Sequence, residues 1–140
     1  MSEIQYSAGI CNIGEAEIKQ RRRIGYIGFG LTLIAIIIYL TLIYSIKLNP
    51  FYGVIIFIPA EMTTIGLIQA RNKFCAAYGL THQQNVSSSL GLTIKIKDET
   101  SQREDRNKAL KIIFQSLIFA GAITVLTIIG GTAVAQISIS

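Results

Sequence analysis

The side chains able to do chemistry are few, and one stands in an unusual place. Glu61 is the sole charged residue of the stretch 51–70, two positions after Pro59 and beside Thr63 and Thr64. A carboxylate inside a bilayer costs about 2.5–3.5 kcal/mol on insertion scales, so it is expected to turn away from lipid. It could serve as a proton relay, a metal ligand, or an ion-pair partner for another subunit. The plainer reading is a neutral carboxyl bonded to a helix carbonyl freed by Pro59, or to Thr or Tyr hydroxyls. Cys11, Cys75 and His82, with Glu15 and Glu17, are zinc or iron ligand types. No Cys-x-x-Cys pair fixes them, so they remain weak metal candidates. Two small thiols packing helix ends and a solvated His82 form the plainer alternative, and a Cys11–Cys75 disulfide is not expected in a reducing compartment. The Gly25, Gly28, Gly30 cluster has the wrong order for a dinucleotide fingerprint and follows no strand. No Ser/His/Asp set or phosphate loop is present, and His82 is the sole candidate base. No catalytic residue and no cofactor is therefore assigned.

The elements that must position these residues are written in the charge pattern. Only 15% of the 140 residues are charged, 51% are hydrophobic and mean hydropathy is +0.49. A soluble domain carries about 25% charged residues. Lys19, Arg21, Arg22 and Arg23 lead directly into the uncharged stretch 24–46. A helix of that length spans roughly 35 Å, enough to cross a hydrocarbon core of about 30 Å. The break 47–50 contains Asn49-Pro50, a turn signal, and the second span follows at 51–70. So short a connection forces an antiparallel hairpin. The third span is 112–137. The expected fold is an all-α integral membrane protein of three transmembrane helices, with a cytoplasmic loop carrying one short strand. The basic balance has no soluble, aromatic-bearing face to serve nucleic acid. Residues 1–20, with Glu3, Glu15 and Glu17, lack the pattern of a cleavable signal.

Local signals divide the remainder. The N-terminal segment 1–23 is expected to start its helix with Asn12 as N-cap, three residues before Glu15. Gly25, Gly28 and Thr32 fall on one face of the first span, a packing surface for a neighbouring helix. Ala120, Thr124 and Gly131 do the same in the third, within a stripe from Ser116 to Ala135. Past Ala70 the second helix is expected to continue through Tyr78 and stop at Gly79. Residues 90–97 alternate apolar and polar side chains, a strand pattern with no visible mate. An unmated strand must pair with another chain or lie on a membrane or helix surface. Ser101 and Glu104 have capping-box spacing, placing the last helix start near 101 in the basic segment 71–111. Glu104 and Asp105 are expected to pair with the surrounding Arg and Lys.

Of the 13 Lys and Arg, four precede the first span, eight lie between Arg71 and Lys111, and Lys47 alone lies between the first two spans. The positive-inside rule then puts the N-terminus in the cytoplasm and the C-terminus outside, in a multi-pass cell-membrane protein. Arg21, Arg22, Arg23, Arg71 and Lys111 form the interfacial basic collar, and anionic lipid would favour that face.

The run Cys11-Asn12-Ile13-Gly14-Glu15-Ala16-Glu17-Ile18, followed by Arg21-Arg22-Arg23, resembles the start of a family of small uncharacterised prokaryotic membrane proteins. That start reads Cys-Asn-Ile-Gly-x-x-Glu-Ile, and a second motif reads Leu-Gln-Ala-Arg-x-x-Phe-Cys. Here the second motif spans Leu67 to Cys75 with Ile68 inserted between Leu67 and Gln69. The charged run Glu104 to Leu110 also fits. The resemblance implies three spans and a meeting of the Cys11 and Cys75 motifs at one face. It implies no activity, and it covers neither Glu61 nor the strand 90–97.

Three short spans without an inverted repeat make a poor solitary carrier. The functional expectation is a non-catalytic accessory subunit of a larger integral membrane complex, contacting other membrane subunits and lipid. Respiratory complexes and copper membrane monooxygenases are the kinds of host considered. The alternatives are a small redox- or metal-responsive protein using Cys11 and Cys75, and a homo-oligomeric ion conductor using Glu61.

Overall fold

The computed structural model describes residues 5–137; the sequence assignments touching 1–4 and 138–140 lie outside the described residues. Helix α1 runs Glu15–Ile46, a 3-10 helix Pro50–Ile56 leads into α2, Phe57–Asn72, and α3 is Ala76–Thr81. Two short strands follow, β1 (Gln83–Gln84) and β2 (Ile94–Lys95), before the long α4, Glu99–Ile137. Three helical stretches, Glu15–Ile46, Pro50–Asn72 and Glu99–Ile137, are long and apolar enough to cross a membrane. With 32 and 39 residues, α1 and α4 exceed a bilayer core. At about 1.5 Å per residue they project well beyond about 30 Å, and the excess is charged. That overhang forms the basic end of the molecule, on which the N-terminal segment, α3 and both strands are built.

Small residues let the spans touch. A Cβ on Gly66 of α2 would lie 2.7 Å from the backbone nitrogen of Gly25, and one on Gly28 would lie 2.7 Å from that of Thr63. The α1 and α2 backbones are therefore in direct contact, as close helix packing requires. Thr32 and Thr63 join hydroxyls across the same seam at 3.2 Å. On α4 the buried line is Asp105, Ala109, Ile112, Ser116, Ala120, Thr124, Thr127 and Gly131, at steps of three and four. Gly131 faces the phenolic hydroxyl of Tyr39, which also donates to the Pro50 carbonyl at 2.6 Å and so pins the hairpin turn. Tyr39, Ile43 and Ile56 form the core at this end, whereas Phe74, Ala76, Ala109 and Ile112 form one near the basic end. Outward faces stay apolar and bare: no more than 28% of the most apolar stretch of any span is buried.

Several local expectations are corrected. The first helix begins at Glu15 with Gly14 as N-cap; Asn12 does not cap it. The second span opens as a 3-10 helix, its start fixed by Asn49 Oδ1 accepting from Phe51 N at 2.9 Å. Helix α2 stops at Asn72, not at Gly79. Lys73 adopts the left-handed conformation (φ 51°), and Phe74 N returns to the Gln69 carbonyl at 3.1 Å, a Schellman-type ending. Gly79 instead lies inside α3, where a Cβ would meet the Asp105 carbonyl at 2.8 Å. The strand within 90–97 contracts to Ile94–Lys95 and has a mate in the chain, pairing antiparallel with Gln83–Gln84. Ile94–Lys95 therefore needs no second chain to pair with. Helix α4 starts at Glu99, because Asp98 accepts both Ser101 N (2.8 Å) and Ser101 Oγ (2.7 Å). Those bonds hold the Asp98 carboxyl below its ordinary range.

Candidate functional site

The densest polar constellation lies at the basic end, where α1, α3 and the loops around the strands meet. Asn12 is fully buried. Its Oδ1 accepts from Cys75 N at 2.7 Å and its Nδ2 donates to the Cys75 carbonyl at 3.1 Å. Its backbone continues the cross-link, with Asn12 N donating to the Lys73 carbonyl and Asn85 N donating to the Asn12 carbonyl at 2.8 Å. The segment before α1 is thereby stitched to the α2–α3 junction and to β1's loop. Gly14 is required beside it, since a side chain there would strike the Ser87 and Val86 carbonyls.

One turn into α1, Glu17 is 2% exposed and its carboxylate gathers donors from four directions. Oε1 accepts from Tyr78 Oη (3.0 Å), Asn85 Nδ2 (3.1 Å) and Gly91 N (3.1 Å). Oε2 faces Arg21 Nη2 at 3.4 Å, an i,i+4 ion pair. A buried charge must be paired and hydrogen-bonded to be tolerated, and this one is both. Arg21 Nη2 also donates to Cys75 Sγ at 3.2 Å. Arg21 is therefore drawn inward, unlike Arg22, Arg23, Arg71 and Lys111, which stay exposed as the collar. A guanidinium only donates, so this contact orients and polarises the sulfur without acting as its base. Burial, then the bond to Glu17, pushes the Tyr78 phenol up.

The weak metal set does not assemble: among the described residues no group of three or more His, Cys, Asp or Glu is placed to hold a metal ion. Cys11 and Cys75 are buried free thiols. Cys11 Sγ points to the Ile13 carbonyl at 3.4 Å, and burial pushes that thiol up. Cys75 Sγ faces a cation, which opposes a metal ion at the same atom. His82 is half-buried at the C-terminus of α3, with φ 57° and a buried Nδ1 that has no hydrogen-bond partner among the described residues, so it is not a solvated loop histidine.

A second cluster docks the N-terminal segment onto the charged turns of α4, ahead of its apolar stretch. Asp105 is fully buried and accepts from Gly9 N at 2.7 Å and Tyr6 Oη at 3.1 Å. These bonds, not ion pairs with neighbouring Arg and Lys, occupy it. Burial raises the Asp105 carboxyl above its ordinary value, and burial together with the Asp105 charge pushes the Tyr6 phenol up to about 12.

Glu61 is half-buried in the α2–α4 seam. Ser116 Oγ donates to its Oε1 at 2.6 Å and Thr64 Oγ1 lies 3.4 Å from Oε2. Thr64 also donates to the Ser116 carbonyl at 3.2 Å. Its hydroxyl partners come from Thr64 and Ser116 of the chain itself. Sequence reasoning had Glu17 and Arg21 in view but missed their pairing with Cys75, Tyr78 and Asn85; the signal available was an acidic residue four positions before an arginine, ahead of a span. Set against protein-family models, curated proteins and solved structures, the chain finds no match in any of the three.

Proposed function

We propose that this chain is a non-catalytic subunit of a larger integral membrane assembly, spanning the bilayer three times with its basic end in the cytoplasm. The observation that carries the proposal is the way its polar groups are spent. Glu17, Asn12, Asp105 and Glu61 each tie together elements distant in sequence, and so serve as internal cross-links of a scaffold. The outward faces, by contrast, are apolar and carry open glycines: a Cβ on Gly30, Gly121 or Gly130 would meet no atom within 4 Å. Glycine on an uncovered helix face is the residue type that lets another span's backbone approach. Extraction in mild detergent followed by native electrophoresis tests the reading. The chain should migrate with other polypeptides, and Gly30→Leu, Gly121→Leu or Gly130→Leu should release it without lowering its own melting temperature. Recovery of the wild-type chain as a lone monodisperse monomer would defeat the proposal.

The Arg21–Cys75 contact favours a second reading, a thiol-responsive membrane protein in which modification of Cys75 loosens the buried cluster. Oxidant treatment should then change protease sensitivity of the basic end in the wild type and leave Cys75→Ser unaffected.

A further inference from the structure

We infer that the outer face of α1 holds one anionic glycerophospholipid, its headgroup among Lys19, Arg22 and Arg23 and one acyl chain along the α1–α2 seam. The inference rests on the membrane-spanning reading above. Two grooves carry it. The first, of about 440 Å³, is lined by Lys19, Arg22, Arg23, Tyr26 and Ile27, so three cations meet an aromatic ring and an apolar floor. The second, of about 400 Å³, is bordered by Leu31, Ile34 and Ile38 of α1 and by Ile58, Pro59 and Met62 of α2. Ile27, Leu31, Ile34 and Ile38 fall at steps of four, three and four, which sets them on one face of the helix and links the grooves into a single track. All four are between 47% and 55% exposed, so the track is open. From Ile27 to Ile38 it runs roughly 16 Å, about one leaflet of a core some 30 Å thick.

Charge complementarity selects the occupant. The mouth is cationic, with Glu15 one turn before Lys19 as the nearby acid on the same helix; it can offset Lys19 and leaves Arg22 and Arg23 for a phosphate. Arginine matches phosphate oxygens bidentately, and Tyr26, 63% exposed, sits where an interfacial ring belongs. A soluble phosphate would use the mouth but has no use for the apolar track. A neutral lipid would use the track but gains nothing from the cations.

The chain has no tryptophan, so Tyr26→Trp and Leu31→Trp each supply a single emitter. Each variant is reconstituted in phosphatidylcholine vesicles carrying a low fraction of brominated phosphatidylglycerol or brominated phosphatidylcholine. Brominated phosphatidylglycerol should quench Y26W and L31W at a roughly tenfold lower fraction than brominated phosphatidylcholine, given the attraction of clustered cations for anionic lipid. Adding Arg22→Gln and Arg23→Gln should bring the ratio to near one. Equal quenching by both lipids, a preference unchanged by the arginine substitutions, or a L31W emitter shielded from both lipids by another polypeptide would each overturn the inference. Absence of quenching by any lipid in both variants together would remove the membrane reading itself and the lipid seat with it.

Discussion

Asn12 and Cys75, separated by 63 positions, are joined by two hydrogen bonds that close on the same backbone unit. The amide of Asn12 supplies the acceptor for the buried Cys75 N–H and a second donor to the Cys75 carbonyl, which also accepts from Gly79 N at 3.0 Å. This single side chain fixes where α2's end, α3's start and the N-terminal segment meet. Asn12→Ala strands the Cys75 N–H, at about 1–3 kcal/mol for a buried group left unsatisfied, while the carbonyl keeps Gly79 N. Asn12→Ala should therefore lower the melting temperature in detergent and expose the Cys75 thiol, which is 1% exposed in the native fold, to maleimide. Asn12→Asp keeps the acceptor but sets a buried carboxylate oxygen against the Cys75 carbonyl, so it should be no better tolerated than Asn12→Ala at neutral pH. An unchanged alkylation rate in Asn12→Ala would contradict this role.

Glu17 presents a sharper case because four partners depend on it. Breaking a buried ion pair by removing one member costs about 3–5 kcal/mol, since the remaining charge stays buried alone. Glu17→Ala should destabilise the chain by that order, and Arg21→Ala by less, because Glu17 keeps its three other donors. Glu17→Gln retains an acceptor oxygen but turns an amide donor toward Arg21 or toward Asn85, so partial loss is expected. Thermal unfolding followed by circular dichroism ranks the three.

What the residue pattern revealed and what it hid follow from the range of the interactions. The spans, the break at Asn49-Pro50 and the small-residue faces depend on local spacing and composition, and all were legible. The end of α2 was not, because Lys73 occupies a left-handed position that usually announces itself with glycine. Strand β1 is two glutamines, too short and too polar to show alternation, so its partner looked unmated. The spacing of Asn12 predicts a helix start two residues ahead of Glu15, because an asparagine there has the chemistry of a cap, whereas its amide serves a junction far along the chain. By type and position Glu17 is an acidic residue ahead of a basic run and, with Glu15, a weak metal-ligand type. Its burial depends on Tyr78, Asn85 and Gly91 converging from elsewhere, which local pattern does not encode.

The α1–α2 contact offers a paired test of packing. A Cβ at Gly66 would come within 2.7–2.9 Å of backbone atoms of Gly25 and Arg21, which have little freedom to yield. Overpacking a tight contact costs about 1–3 kcal/mol, so Gly66→Ala should lower thermal stability by that amount. Gly30→Ala, placed in open space on the same helix pair, should be neutral or stabilising by about 0.4–1 kcal/mol. Equal effects would argue against direct backbone contact at Gly25 and Gly66.

Titration of the Tyr6–Asp105 cluster has a defined sign. The Tyr6 phenol is raised from 10 to about 12, foremost by burial and then by the Asp105 charge. Its contribution to docking is fully present below its ordinary value and is lost as pH rises through about 12. The difference between wild-type and Tyr6→Phe tyrosinate absorbance should show one phenol titrating near that value. Asp105 is also raised by burial, so its contribution is full below the ordinary carboxylate range and declines as pH rises through its elevated value. Asp105→Asn, which keeps an acceptor for Gly9 N, should hold the segment at neutral pH, whereas Asp105→Ala should release it to protease.

The whole account depends on three crossings that leave the buried cluster and the lone connection at Lys47 on opposite faces. Single cysteines replacing Lys47 and Lys95, both exposed, can be labelled in intact cells with an impermeant maleimide, because the native thiols are buried. Labelling of Lys47→Cys from outside, with Lys95→Cys reacting only after permeabilisation, is the predicted result. Both positions reacting from the same side would contradict the three-span arrangement and the subunit proposal built on it.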